Sequence, residues 1–144
     1  MEFQQHAGLL NVRTPSNGFV DVTRDVQHWL EEVGASQGVL TLFLQHTSAS
    51  LVVQENADPD VMRDLRDAFS RLAPESHPYR HSAEGPDDMP AHIKTALTQV
   101  SLQVPVASNR MALGTWQAIY VAEHRAMPHQ RRIALNFMGT CEAS

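Results

Sequence analysis

The chain has one cysteine (Cys141), one lysine (Lys94) and no apolar run near the ~18 residues that suggest a membrane span. A lone cysteine excludes an intramolecular disulfide framework and any all-cysteine zinc site. It fits a reducing compartment, so a cytoplasmic location is expected. The start lacks the charged-then-apolar pattern of a signal peptide, and no membrane partner is expected. Basic residues are outnumbered, 11 against 16, for a net charge of −5. That argues against non-specific nucleic-acid binding, which runs on phosphate neutralisation, so no nucleic-acid partner is expected. Three motifs are also missing: the Gly-x-Ser-x-Gly elbow, the helical His-Glu-x-x-His and a glycine-rich phosphate loop. Their absence removes the commonest hydrolase, zinc-protease and nucleotide-binding signatures.

What is present fits one globular domain over residues 1–144. Phe3 to Val12 reads as a strand, ended by the turn cluster Thr14 to Gly18, and Phe19 to Val22 as a short returning strand. Val22, Val26, Trp29, Leu30 and Val33 recur at helical spacing, with Gly34 placed as a C-terminal cap. Val39 to His46 reads as a strand with both faces apolar, as when both are covered. Leu51 to Val53 continues the sheet. Asp58 and Pro59 announce a second helix through Leu72, with Phe69, like Trp29 before it, expected in the core. Pro74 to Pro90 has no periodicity and exceeds the ~12–15 residues of ordinary loops. Pro90 is expected to open a short helix through Thr98. Strands then follow at Ser101 to Val106, Trp116 to His124 and Arg132 to Met138, with hairpin turns at Ala107–Arg110 and Met127–Gln130. The fold class is α+β: a mostly antiparallel mixed sheet with two or three helices.

Eight histidines are scattered along the chain, and four adjoin element boundaries: His46, His81, His92 and His124. Strand ends and loops on a rigid scaffold are where sites are usually built. Between His81 and His92 lie Glu84, Asp87 and Asp88, so five potential metal ligands fall within 12 residues. Imidazole suits zinc, and carboxylates suit magnesium or calcium. The expectation is one cluster, with His46, His81, His92 and His124 as metal ligands. His46, Glu84, Asp87, Asp88 and His124 are the candidate catalytic groups. The competing readings are a core histidine satisfied by backbone at His46 and helix-dipole partners at Asp87 and Asp88.

Several segments together resemble a known family. They are His46–Leu51 (HTSASL), Glu55-Asn56 with Asp58-Pro59, His81 with Glu84-Gly85 and Asp87–Pro90 (DDMP), and His92-Ile93-Lys94. Pro105-Val106, Gly114–Gln117 (GTWQ) and Glu123-His124-Arg125 complete the set. The chain resembles the YjbQ family, often labelled secondary thiamine-phosphate synthase. It departs where the family has Asn-Glu in place of Gln54-Glu55 and a glycine in place of Asn109. Asparagine tolerates the left-handed backbone such a turn needs. The resemblance implies a sheet curled into a barrel, a homotrimer, and a histidine-rich cleft that holds a metal or an anion. The label implies a transferase that joins a phosphorylated pyrimidine to a phosphorylated thiazole and releases pyrophosphate. That chemistry calls for a divalent metal, zinc or magnesium, and for cations to offset the leaving charge. Lys94, Trp116, Gln117 and Arg125 are then the candidate contacts to a phosphorylated small-molecule substrate. Two other readings stay open: a metal-dependent hydrolase or transferase of another substrate, and a non-catalytic metal- or small-molecule-binding module.

Overall fold

The computed structural model describes residues 2–142. The elements run β1 (Phe3–Thr14), β2 (Gly18–Asp21), α1 (Thr23–Glu32), β3 (Ala35–Leu44), β4 (Ala49–Glu55) and α2 (Pro59–Leu72). Then come α3 (Asp88–Leu97), β5 (Ser101–Ala107), β6 (Arg110–Met111), β7 (Gln117–Glu123) and β8 (His129–Cys141). All strand pairs are antiparallel. A five-stranded sheet has the order β1-β8-β3-β5-β6, and a three-stranded sheet the order β2-β7-β4. Leu44 N–H to the Val100 carbonyl and Leu51 N–H to the Gln99 carbonyl, both 2.7 Å, tie the sheets together. The result is a single α+β domain whose sheet curls into a half-barrel around one core of Leu30, Leu40, Leu42, Leu44, Leu51, Ile119, Ile133 and Phe137.

Local signals explain most boundaries. Asp58 caps α2 by accepting from Asp60 N–H at 2.9 Å, and Pro59 follows at the first helical position. The β5–β6 hairpin turns through Ser108 and Asn109, at φ of 52° and 67°. Both central residues are left-handed, as the tight mirror-image turn requires. Gly38 and Gly139 face each other across β3 and β8, and a Cβ at Gly38 would lie 2.2 Å from the Met138 carbonyl oxygen. Only glycine permits that approach.

Five expectations are corrected. The segment Met127–Gln130 is not a hairpin turn, because β7 and β8 lie in different sheets and the chain crosses between them. Helix α3 begins at Asp88, not Pro90, which still sits in the first turn where a missing N–H costs nothing. Strand β3 is covered on one face only: Leu40, Leu42 and Leu44 are buried, whereas Val39 is 43% and Phe43 48% exposed. Trp29 and Phe69 are half-buried rather than core, and α2 has no fully buried residue. Trp116 precedes its strand and is 63% exposed.

Candidate functional site

The site begins with Asp88, whose side chain is 2% exposed at the start of α3. One of its oxygens, Oδ2, lies 2.7 Å from His81 Nε2 and 3.1 Å from His92 Nε2. The histidine rings are 5.4 Å apart, centre to centre. Helical spacing explains half of this, since residues 88 and 92 share a face one turn apart. His81 comes from the long loop before α3. Arg125 clamps that loop: Nε donates to Asp87 Oδ2 (3.0 Å), Nη1 to Asp88 Oδ1 (2.7 Å) and Nη2 to the Glu84 carbonyl (3.0 Å). The Ala126 N–H adds a 2.9 Å bond to Asp87. Arg125 therefore serves two acids with Nε and Nη1 and a backbone carbonyl with Nη2.

The electrostatics follow from these contacts. Burial alone would raise the Asp88 carboxyl, but the His81 hydrogen bond and the charges of His92 and Arg125 outweigh it and hold it below the usual aspartate range. Asp87 is likewise held low against burial by the Ala126 N–H and Arg125. The tautomer of His92 is fixed by its other nitrogen. Nδ1 lies 2.9 Å from the Thr47 carbonyl, which can only accept, so Nδ1 carries the proton. His92 Nε2 is then the ring atom that faces the Asp88 carboxylate oxygen 3.1 Å away, an N–H donor in the charged ring and a lone pair in the neutral one. A proton on Nε2 or a divalent ion would each offset the Asp88 charge there.

The structure scatters the other expected residues instead of gathering them around Asp88. His46 braces β8: the Arg132 backbone N–H donates to Nε2 (2.8 Å), and Nδ1 faces the Arg131 guanidinium at 3.4 Å. Burial and the two arginines push its pKa down. His124 is 3% exposed, its Nε2 is 2.9 Å from Ser50 Oγ, and its ring meets Phe69 edge-on at 5.8 Å. Burial, with Lys94 nearby, lowers its pKa to about 4. Among the described residues, only His81, Asp88 and His92 bring three ligand atoms within 4.8 Å of one another, and His46 and His124 are not part of that group. Glu84 is exposed and joins through its backbone only. Trp116 and Gln117 stand at the opposite end of β7 from His124 and Arg125, ~20 Å away along a seven-residue strand.

Sequence reasoning missed the charged pair that supports the site. Arg131 is 3% and Glu123 1% exposed. Arg131 Nε donates to Glu123 Oε1 (2.7 Å) and Nη2 to Oε2 (2.6 Å), while the Thr14 hydroxyl and the Arg125 N–H also donate to the carboxylate. Arg131 also donates to Ser48 Oγ at 3.0 Å, one residue from the carbonyl that orients His92. A signal was present: Ala118 to Ala122 is a continuous apolar run, as in a strand covered on both faces, and it leads straight into Glu123.

Concavity alone would point elsewhere. A cleft of about 990 Å³ lies between α1 and the β6–β7 region and is lined by Asp21, Arg24, Asp25, Glu31 and Arg110. Among the described residues, no three His, Cys, Asp or Glu side chains converge there as metal ligands. A smaller cleft of about 330 Å³, lined by His77, Tyr79 and Gly85, reaches His81.

Comparison with known proteins agrees with the fold and the motif set. The UPF0047 protein YjbQ-like family matches residues 9–140. The chain belongs to the YjbQ family. It is 45% identical over 138 residues to the UPF0047 protein sll1880 of Synechocystis, covering 95% of this chain and 94% of that protein. It is 42% identical over 131 residues to the UPF0047 protein YjbQ of Escherichia coli O157:H7, covering 90% and 95%. Among solved structures, the Aeropyrum pernix protein APE1520 superposes with a TM-score of 0.86 at 30% identity, covering 94% of this chain and 99% of that one. A YjbQ/UPF0047 protein of Clostridium acetobutylicum gives 0.82 at 34% identity, covering 90% and 98%. These YjbQ relatives carry no reaction in their names. No helix among the described residues is long and apolar enough to cross a membrane.

Proposed function

We propose that this YjbQ-family protein is a metal-assisted enzyme acting on a small phosphorylated molecule, with His81, Asp88 and His92 as the ligands of one divalent ion. A single observation carries the reading: His81 Nε2 and His92 Nε2, the latter oriented by the Thr47 carbonyl, converge on one Asp88 carboxylate oxygen at 2.7 and 3.1 Å. A histidine that gives its other N–H to a backbone carbonyl is the usual supporting arrangement for a metal ligand. Two imidazoles and one carboxylate suit zinc, and three protein ligands leave a position for substrate or water. When bound, the ion would polarise a phosphoryl oxygen or lower the pKa of water.

The chain's own residues do the rest. Arg125 keeps Asp88 ionised and fixes the loop that carries His81. The cleft beside His81, with His77 and Tyr79 on its wall, is where a substrate would approach. His46 and His124 sit outside the ligand set and act on the scaffold. Trp116 and Gln117 are too distant along β7 to take part within one chain. Thiamine-phosphate formation, implied by the family label, is the first reaction to test. The exposed face of β3 and β8, with Val39, Phe43 and Met138, is the surface on which a homotrimer would form.

The test is a screen for phosphate and pyrophosphate release over phosphorylated metabolites, including the paired pyrimidine and thiazole phosphates, with and without EDTA. The reading predicts EDTA-sensitive turnover that Asp88→Asn abolishes. Bound metal with no turnover on any substrate would favour a binding module instead.

A further inference from the structure

The five-stranded sheet has no aspartate or glutamate in any of its strands, although the chain has 16 acids. Its only permanently charged side chains are arginines. Arg131 turns inward to Glu123, but Arg13 on β1 and Arg132 on β8 are exposed. The strand register places these two together. Arg13 pairs with Gln130 and Asn11 with Arg132, so the arginines are diagonal neighbours on one face. Diagonal neighbours lie about 7–8 Å apart, within reach of long side chains. At the end of β3 the Gln45 N–H donates to the Arg132 carbonyl at 3.1 Å, which sets Gln45 beside Arg132. Asn11, Gln45 and Gln130 are exposed as well, so three amides surround two guanidinium groups.

This corner of the sheet has no counter-charge of its own. Among the described residues, the arginine ion pairs belong to Arg63, Arg125 and Arg131. The connections at this end, residues 15–17, 45–48 and 126–128, contain no acid either. Two like charges on neighbouring strands repel, so the pair gains from an anion held between them.

We propose that this corner is a binding site for a phosphoryl group, held by Arg13 and Arg132 with the amides of Asn11, Gln45 and Gln130 donating around it. Guanidinium groups bind phosphate through paired N–H bonds. A phosphoryl group carries about two negative charges at neutral pH, matching the two arginines. It also offers more acceptor oxygens than a carboxylate to a set of five donor side chains. Strands hold those donors at fixed spacing, which limits the ordering cost of binding. The site does not require a metal at Asp88 and shares no residue with that group, so the two readings stand or fall separately.

Calorimetric titration of metal-free protein, at low ionic strength and without phosphate or chelator in the buffer, tests the proposal. Inorganic phosphate, pyrophosphate and phenyl phosphate are the probes, with acetate as the carboxylate control. Saturable binding of a phosphate probe is expected, roughly tenfold or more tighter than acetate and weakened by added salt. Tighter binding of inorganic phosphate than of phenyl phosphate would mark the free ion as the ligand, and the reverse a phosphorylated molecule. Arg132→Gln and Arg13→Gln should each weaken binding roughly tenfold, the worth of one charge-assisted contact. Both should keep the wild-type melting temperature, because the side chains are exposed. Arg24→Gln, an exposed arginine on α1, should bind as wild type does. No saturable binding of any phosphate probe would overturn the proposal. So would an equal loss in Arg24→Gln, or undiminished binding in the double variant Arg13→Gln/Arg132→Gln.

Discussion

Removing the charge at Glu123 probes the support beneath the site. The carboxylate is 1% exposed and accepts two bonds from Arg131, at 2.7 and 2.6 Å, besides those from Thr14 and the Arg125 N–H. Burial would raise its pKa, but the Arg131 and Thr14 bonds prevail and hold it low, so the pair is ionic at neutral pH. In Glu123→Gln the Arg131 guanidinium stays buried without a counter-charge. Breaking one side of such a pair costs about 3–5 kcal/mol. A domain this size has roughly 5–15 kcal/mol in total, so the variant should fold but melt early. Urea denaturation at fixed protein concentration would read the cost. The double variant Glu123→Gln/Arg131→Met removes both charges and should cost well below the sum of the singles, a coupling of about 2 kcal/mol or more. A Glu123→Gln cost below about 1 kcal/mol, or strict additivity, would refute the reasoning.

Three further outcomes follow from the same geometry. His124 titrates at about 4 in the fold against 6.5 unfolded, so the unfolded chain binds more protons between those values. Its stabilising share is complete above 6.5 and is lost as pH falls to about 4; the gap corresponds to about 3 kcal/mol, so stability measured by urea from pH 7 to 4 should fall by about that much less in His124→Phe. An equal fall in both proteins would contradict it. Gly38→Ala should fail to fold or melt far below wild type, since its Cβ would meet the Met138 carbonyl; an unchanged melt would show that β3 and β8 do not approach as described. Phe69→Ala should cost about 1–2 kcal/mol, below the ~3–5 of a buried phenylalanine, because the ring is only half covered.

Elements governed by local chemistry were legible in the sequence. Asp58-Pro59 opened α2, Asn109 turned the β5–β6 hairpin, and the helix ending before Gly34 fell in place. Pairing between distant strands was not. Nothing near Met127–Gln130 announces that the chain changes sheets there, and alternation along Val39–Leu44 cannot tell a covered apolar face from a bare one. In the site, His81, Asp88 and His92 were legible as ligand types within one short segment. Arg131 was not, because its partner Glu123 lies across a connection whose shape depends on both sheets. His46 and His124 are histidines at boundaries like the other two, but tertiary contacts give them arginine and serine neighbours instead of Asp88.

Zinc titrated calorimetrically into metal-free protein asks whether His81, Asp88 and His92 together hold an ion. Wild type should bind about one equivalent per chain, as one three-ligand centre implies. Asp88→Asn and His92→Phe should each lose affinity by at least ~10–100-fold, since even supporting groups around a metal contribute that much. Absence of binding to wild type, or equal affinity in both variants, would contradict a metal centre at Asp88.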